Sequence, residues 1–215
     1  FSRPAQIVGG DYFDFLRFRD GSYGLAIADV AGKGMAASLL MASLQTLLRS
    51  LAPESDSTAE VVERLNRLFC HNIHFTTFVT LFLGRLDPAT HVLDYCNAGH
   101  NPPILFRPGS GENSVSWLRP TGPAIALSEG ARFDAVTLAL SPGDTLLLYT
   151  DGVTEACDSQ QNLFGYDRLA AFVQERVDLP VSELTRALRQ TLDAYCEGQP
   201  LDDDTTIVVC KIVSA

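Results

Sequence analysis

Four acidic positions in the sequence share one grammar: an apolar run leads up to an Asp, with Gly or a second Asp beside it. They are Ile7-Val8-Gly9-Gly10-Asp11, Leu25-Ala26-Ile27-Ala28-Asp29, Leu146-Leu147-Leu148-Tyr149-Thr150-Asp151-Gly152, and Asp202-Asp203-Asp204 running into Ile207-Val208-Val209. An Asp at a strand end often only caps a turn, and for any one of these that is the plainer reading. Four together point elsewhere. On neighbouring strands their ends would gather carboxylates, whose repulsion raises pKa values or drives the side chains apart, and bound cations remove that cost. Carboxylate and carbonyl oxygens suit hard ions such as Mg²⁺ or Mn²⁺, whereas zinc prefers His and Cys. Two such ions about 3.5–4 Å apart can share a water, lower its pKa and hold it in line with a phosphorus atom. The implied chemistry is metal-assisted phosphate ester hydrolysis. It needs no protein nucleophile, and the sequence offers neither G-x-S-x-G nor a local Ser/His/Asp arrangement.

The elements that must hold these residues are legible from periodicity. Tyr12 to Phe18 and Tyr23 to Ala28 flank Arg19-Asp20-Gly21-Ser22 and read as a hairpin whose second strand stops at Asp29. After the loop Val30-Ala31-Gly32-Lys33-Gly34, the stretch from Met35 to Leu51 is apolar on nearly every face, which predicts a buried helix. A second helix follows Pro53, capped by Ser57 or Thr58, with Val61, Val62, Leu65, Leu68 and Phe69 as its apolar stripe. Strands are expected over Thr77 to Leu86, Val92 to Cys96, Ile104 to Phe106, Val115 to Leu118, Phe133 to Leu140 and Thr145 to Thr150. Helices return over Leu169 to Val177 and Val181 to Tyr195, and Thr206 to Val213 is the last strand. With no repeat or low-complexity linker, residues 1–215 read as a single α+β domain of antiparallel sheets covered by helices.

Composition excludes several classes. The 215 residues are 46% hydrophobic and 20% charged, and 26 acidic against 16 basic residues give a net charge of −10. That surplus repels phosphate backbones, so binding to nucleic acid through a general basic face is excluded. Gly34 to Leu48, the longest charge-free stretch near the front, falls short of the roughly 20 apolar residues of a bilayer span, so no membrane insertion is expected. Phe1-Ser2-Arg3-Pro4 has no features of a signal peptide and no initiator Met, consistent with a fragment of a longer protein. Five scattered cysteines without a C-x-x-C pair suit a reducing cytoplasm, and His71 with His74 is the one close pair among four histidines, too little for zinc.

Five segments together resemble a known family. Gly9-Gly10-Asp11-Tyr12-Phe13-Asp14, Asp29-Val30-Ala31-Gly32-Lys33-Gly34, Asn97-Ala98-Gly99-His100-Asn101-Pro102-Pro103, Tyr149-Thr150-Asp151-Gly152-Val153-Thr154-Glu155-Ala156 and Asp203-Asp204-Thr205-Thr206 look like the successive motifs of the bacterial sporulation stage II E (SpoIIE) phosphatases. These are the bacterial branch of the metal-dependent phosphatases related to protein phosphatase 2C. The resemblance implies an α-β-β-α sandwich, two antiparallel sheets flanked by helices, with two Mn²⁺ or Mg²⁺ ions at one edge. Carried over by motif, Asp29 would bridge both metals and the Val30 carbonyl would ligate one. Asp151 and Asp203 would ligate the second, and Asp11 would act directly or through bound water, with Asp204 a weaker alternative to Asp203. The implied substrate is a phosphoserine or phosphothreonine on a small regulatory protein, typically an anti-sigma-factor antagonist. An upstream sensor or receiver domain and a second copy of the chain are the other partners expected of a signalling protein of this kind.

The sequence departs from the wider phosphatase group in two places. No His directly follows the bridging Asp, and Pro4-Ala5-Gln6-Ile7 stands where a phosphate-binding Arg is found, leaving Arg3 and Lys33 as substitutes. Plainer readings hold for other residues. His100 precedes Pro102-Pro103 and reads as structural. Asp14 lies on the opposite strand face from Asp11. Gly32 and Gly34 allow a strand-to-helix turn, since a P-loop requires Ser or Thr after the Lys. A haloacid-dehalogenase-type phosphatase would need an Asp where Tyr149 stands, and a diguanylate cyclase would need Glu after Asp11. The remaining rival is a catalytically silent phosphatase-like module that binds a partner as a signalling output.

Overall fold

The structure, a computed structural model, describes residues 1–5, 7–72, 77–109, 114–199 and 202–213. His74 and residues 110–113, within the Gly-rich turn expected between Phe106 and Val115, lie outside them. The chain divides into two compact units: 6–102 with 119–140, here the Asp29 unit, and 1–5 with 103–118 and 141–215, here the Asp151 unit. Each is built on one five-stranded antiparallel sheet with its own helices.

In the Asp29 unit the strand order is β2 (Tyr12–Arg17), β3 (Tyr23–Val30), β4 (Val79–Leu86), β5 (Val92–Ala98) and β8 (Val136–Ala139). Period-2 patterning decides the faces of β2: Tyr12, Asp14 and Leu16 are buried while Phe13, Phe15 and Arg17 point the other way. The hairpin forms as expected, but β3 does not stop at Asp29. It runs through to Val30, with Asp29 opposite Thr80 and Val30 opposite Val79, because β4 supplies a second ladder that carries the strand past its acidic residue. β8 is shorter than the apolar run from Phe133 to Leu140; Phe133 joins the core without joining the ladder.

Helix α1 (Met35–Leu51) corrects another expectation. Only Ala37, Leu44 and Leu48 are buried, while Met35 and Leu39 are 71% and 65% exposed. The apolar composition had implied burial all round; the packing uses one stripe. A groove of about 650 Å³ opens along the remaining face, lined by Leu39, Leu40, Leu47, Leu68 and Phe69 among others. Residues 35–54 are also long and apolar enough, by length and composition, to cross a membrane, contrary to the count that stopped at Arg49. Here Leu44 and Leu48 sit in the core of the unit. Helix α2 (Thr58–Asn72) starts where Thr58 donates from its N–H and Oγ1 to Asp94 Oδ2, at 3.3 and 2.8 Å, so its cap comes from β5 rather than from its own first turn. Its stripe buries Val61, Val62, Leu65 and Phe69, with Leu68 left 38% exposed.

In the Asp151 unit the order is β1 (Ser2–Arg3), β10 (Thr205–Lys211), β9 (Thr145–Tyr149), β6 (Ile104–Phe106) and β7 (Val115–Trp117). Every residue of β9 is buried, as its unbroken apolar run required. Short helix α3 (Asp151–Thr154) follows it directly, then α4 (Gly165–Arg176) and α5 (Val181–Tyr195). α5 spans the predicted residues, whereas α4 begins four residues before Leu169, its first turn being polar. Leu147, Tyr149, Phe172, Leu188 and Ile207 form the centre of this unit's core. All five cysteines are free thiols, and burial pushes Cys96 up to about 11.

The one-sided burial of α1 is testable by chemical denaturation. Leu44→Ala, at a fully buried site, is expected to cost about 2–5 kcal/mol. Leu39→Ala is expected to stay within about 0.5 kcal/mol. Equal losses at the two positions would mean that α1 is buried all round.

Candidate functional site

Antiparallel pairing places the predicted residues within each unit. In the Asp29 unit Tyr12 pairs with Ala28, so one further step sets Asp11 beside Asp29 at the same sheet edge. The neighbouring Gly10 shows how close the strands are there. A Cβ on Gly10 would lie 2.9 Å from the Val30 carbonyl oxygen and 3.4 Å from Asp29 Oδ1, so only glycine leaves these oxygens their room. The chain then turns into α1 through Gly32 and Gly34 at φ +106° and +78°, the strand-to-helix turn expected of them. The Asp29 carbonyl accepts from Thr80 Oγ1 at 3.4 Å, and Thr80 Oγ1 is 2.8 Å from His100 Nδ1. His100 is 1% exposed and its main-chain N–H donates to Asn97 Oδ1 at 2.8 Å, a buried place in a turn that matches its structural reading.

In the Asp151 unit, β9 ends at Tyr149 opposite Ile207 of β10, which brings Asp151 to the edge where Asp203 and Asp204 lead into β10. Side chains lock the corner. The Thr150 N–H donates to the Thr206 carbonyl at 3.1 Å, and the Thr206 N–H donates to Thr150 Oγ1 at 2.9 Å. Gly152 presses against this segment so tightly that a Cβ there would fall 2.1 Å from the Asp204 carbonyl oxygen. The two acidic neighbours differ in use. Asp204 is buried and its Oδ1 accepts the Ala5 N–H at 2.7 Å, whereas Asp203 is half-buried and its Oδ1 accepts the Asp204 N–H at 2.9 Å. Asp202 is exposed, with Cys157 Sγ 3.7 Å from its Oδ2.

Each unit thus carries two of the predicted Asp at one sheet edge. Within each unit, among the described residues, no three His, Cys, Asp or Glu side chains form a metal-holding group by themselves. The predicted donors are oxygen in each unit, from Asp11, Asp29 and the Val30 carbonyl in one and from Asp151 and Asp203 in the other, a chemistry that would suit a hard divalent cation and not zinc. Of the substitutes for a phosphate-binding Arg, Arg3 pairs with Asp193 at 3.0 Å with both side chains about half exposed, and Lys33 is exposed in the loop after Val30.

Sequence reasoning missed one residue that organises the Asp29 unit. Arg49 Nε and Nη2 donate to Asp14 Oδ2 and Oδ1 at 2.6 and 3.0 Å, and Tyr12 Oη donates to Oδ2 at 2.6 Å. The signal was present: Arg49 is the lone charge in the apolar stretch from Met35 to Leu51. Burial pushes the Asp14 carboxyl up, but the Arg49 and Tyr12 hydrogen bonds outweigh it and hold the group below the ordinary carboxylate range.

The fold is that of the phosphatase 2C-like domains. The solved SiaA-PP2C domain of Pseudomonas aeruginosa matches with a TM-score of 0.87 at 23% identity, over 98% of this chain and 84% of that one. RsbX, solved in complex with magnesium, matches with a TM-score of 0.73 at 19% identity, over 97% of this chain and 91% of that one. The chain belongs to the family described as Stage II sporulation protein E (SpoIIE), whose model matches residues 19–213, as the motifs implied. Phosphoserine phosphatase RsbU of Bacillus subtilis (strain 168) is 28% identical over 210 residues, which is 98% of this chain and 61% of RsbU. The chain therefore spans about three fifths of that relative's length.

Two outcomes follow from this geometry. Gly152→Ala must force the α3 start away from Asp204, so it is expected to lower stability by about 1–3 kcal/mol, read by urea denaturation; an unchanged midpoint would mean the approach is not tight. Because the Asp14 pKa is lower folded than unfolded, its stabilising effect is complete above its unfolded value of about 3.9 and is lost as pH falls through the lower folded value. The stability difference between wild type and Asp14→Asn should accordingly be largest above about pH 5 and shrink on acidification below about pH 4. A difference independent of pH would show that the carboxylate charge is not what stabilises this corner.

Proposed function

We propose that the chain is a metal-dependent protein serine/threonine phosphatase acting on a phosphoserine or phosphothreonine of a small regulatory protein of the anti-sigma-factor antagonist type. The observation that carries this is the placing of strand-end oxygens: Asp11, Asp29 and the Val30 carbonyl at one sheet edge, and Asp151 with Asp203 at another. Membership of the SpoIIE family supports it, as do the phosphoserine phosphatase name of RsbU and the magnesium bound to RsbX.

In this reading Asp29, the Val30 carbonyl, Asp151 and Asp203 are metal ligands, and Asp11 acts directly or through bound water. Asp203 is preferred to Asp204 because it holds the ligand position of the motif that the resemblance carries over. Two Mn²⁺ or Mg²⁺ ions, when bound, supply Lewis acidity and a water deprotonated near neutral pH. The chain's own part is to hold its oxygens at fixed positions, so that little reorganisation remains at the moment of reaction. Residues 1–215 act as one phosphatase domain from the C-terminal part of a longer cytoplasmic signalling protein, whose sensor or receiver domain and second copy are further partners.

The test is Mn²⁺-dependent turnover of an aryl phosphate and of a phosphorylated antagonist protein. Asp151→Asn is expected to cut hydrolysis by orders of magnitude, roughly 10²-fold or more, with the thermal midpoint retained, since a metal ligand is lost while carboxylate repulsion is relieved. An unchanged rate would make Asp151 a turn residue only. Failure of the wild-type chain to turn over either substrate or to bind Mn²⁺ at millimolar concentration would favour the silent partner-binding module instead.

A further inference from the structure

Helix α1 is tied to the chain on both sides of Asp11. Near its start, Ser38 Oγ lies 2.9 Å from the Gly9 carbonyl oxygen and 3.0 Å from that of Gly34, sharing one proton between an acceptor two residues before Asp11 and one in its own first turn. Near its end, Arg49 grips Asp14, three residues after Asp11, through two parallel hydrogen bonds. Ser38 and Arg49 are eleven residues apart on one straight element, about 16 Å along the helix axis. The same helix is joined through residues 31–34 to Asp29 and Val30, and its Ala37 Cβ would touch a Cβ placed on Gly10 at 3.4 Å.

Asp11 itself lies just outside the β2 ladder, which begins at Tyr12. The register sets it beside Asp29, and the helix adds a strut anchored on either side of it: a hydroxyl on the Gly9 carbonyl and a planar guanidinium on a buried carboxylate. The second anchor is geometrically demanding, because a two-pronged Arg–carboxylate contact sets direction as well as distance, which a lysine ammonium does not. Asp14 is 9% exposed while Arg49 is 58% exposed, so the carboxylate is held in the unit and the helix end is drawn down onto it.

We propose that Ser38 and Arg49 are positioning residues for the metal-ligand edge of the Asp29 unit, setting Asp11 against Asp29 and the Val30 carbonyl. The proposal rests on the reading of these groups as metal ligands. It differs from a general stabilising role in what it predicts: the two side chains control the affinity for the cation, not only the folding of the unit.

The experiment uses the 215-residue chain and Mn²⁺ itself, with bound and free ion separated by electron paramagnetic resonance, alongside aryl phosphate turnover and thermal midpoints. Ser38→Ala and Arg49→Ala are each expected to weaken Mn²⁺ binding by about tenfold, the low end of what lost outer-shell partners cost, and to lower kcat at saturating Mn²⁺. Ser38→Thr, which keeps the hydroxyl, should recover most of the affinity, and Arg49→Lys should fall between wild type and Arg49→Ala. Val62→Ala, a fully buried α2 site away from the strut, supplies the comparison: a lowered midpoint with unchanged Mn²⁺ affinity. If Arg49→Ala does not fold, the Ser38 pair decides. Wild-type affinity in folded Ser38→Ala and Arg49→Ala, or an affinity loss in Val62→Ala equal to theirs, would overturn the positioning role while leaving the phosphatase reading standing. Absence of Mn²⁺ binding by the wild-type chain would overturn both.

Discussion

Antiparallel pairing is the constraint on which the rest depends. A carboxylate at the end of one strand and a carboxylate at the start of its neighbour are brought to the same edge by the ladder itself, whatever their separation in sequence. β2 and β3 do this for Asp11 and Asp29, and β10 and β9 do it for Asp203 and Asp151, the last pair 52 residues apart. Gathering like charges is unfavourable, and the backbone hydrogen bonds and buried apolar side chains of the strands outweigh that cost. The result in each unit is a pair of carboxylates at one strand end, and the groups gathered there are oxygen.

Around the edge in each unit the chain uses space as carefully as charge. Gly10 leaves room for the Val30 and Asp29 oxygens, and Gly152 lets the start of α3 lie against the main chain of Asp204. In both cases the atom that is missing, a Cβ, matters more than any atom present. Threonines then fasten the corners: the Thr150 hydroxyl accepts from the Thr206 N–H, and the Thr80 hydroxyl meets the Asp29 carbonyl and the His100 imidazole. Asp14, held by Arg49, and Asp204, held by the Ala5 N–H, brace the architecture.

Much of this was legible in the sequence. The hairpin around Gly21, the α5 boundaries and the α2 stripe follow from periodicity, turn residues and spacing, and the family resemblance that the five motifs carry is borne out by the family match. What was not legible has a common physical cause. A local pattern does not show which neighbour a segment will pack on, so α1 read as buried all round when it uses only one stripe, and β3 read as ending at its charge when β4 carries it onward. Long-range polar pairs were hidden for the same reason: Arg49 to Asp14 spans 35 residues, and the Ala5 N–H to Asp204 spans 199. Candidate site residues are easier to nominate than their supports because strand-end Asp announce themselves by neighbours in sequence, whereas a support announces itself only in space.

The interleaving of the two units has a consequence for synthesis on the ribosome. All strands and helices of the Asp29 unit are complete once residue 140 has emerged, and its ladders join segments that are mostly adjacent in the chain. The Asp151 unit, in contrast, sets β1 beside β10, pairing Ser2 with Thr206, so its first strand waits for its last. One unit is therefore expected to be able to fold once residue 140 has emerged and the other only once β10 has emerged, with the slow closure that such distant pairings impose. The Asp11–Asp29 edge would then exist before Asp151 and Asp203 have been made, and an order of assembly is written into the connectivity.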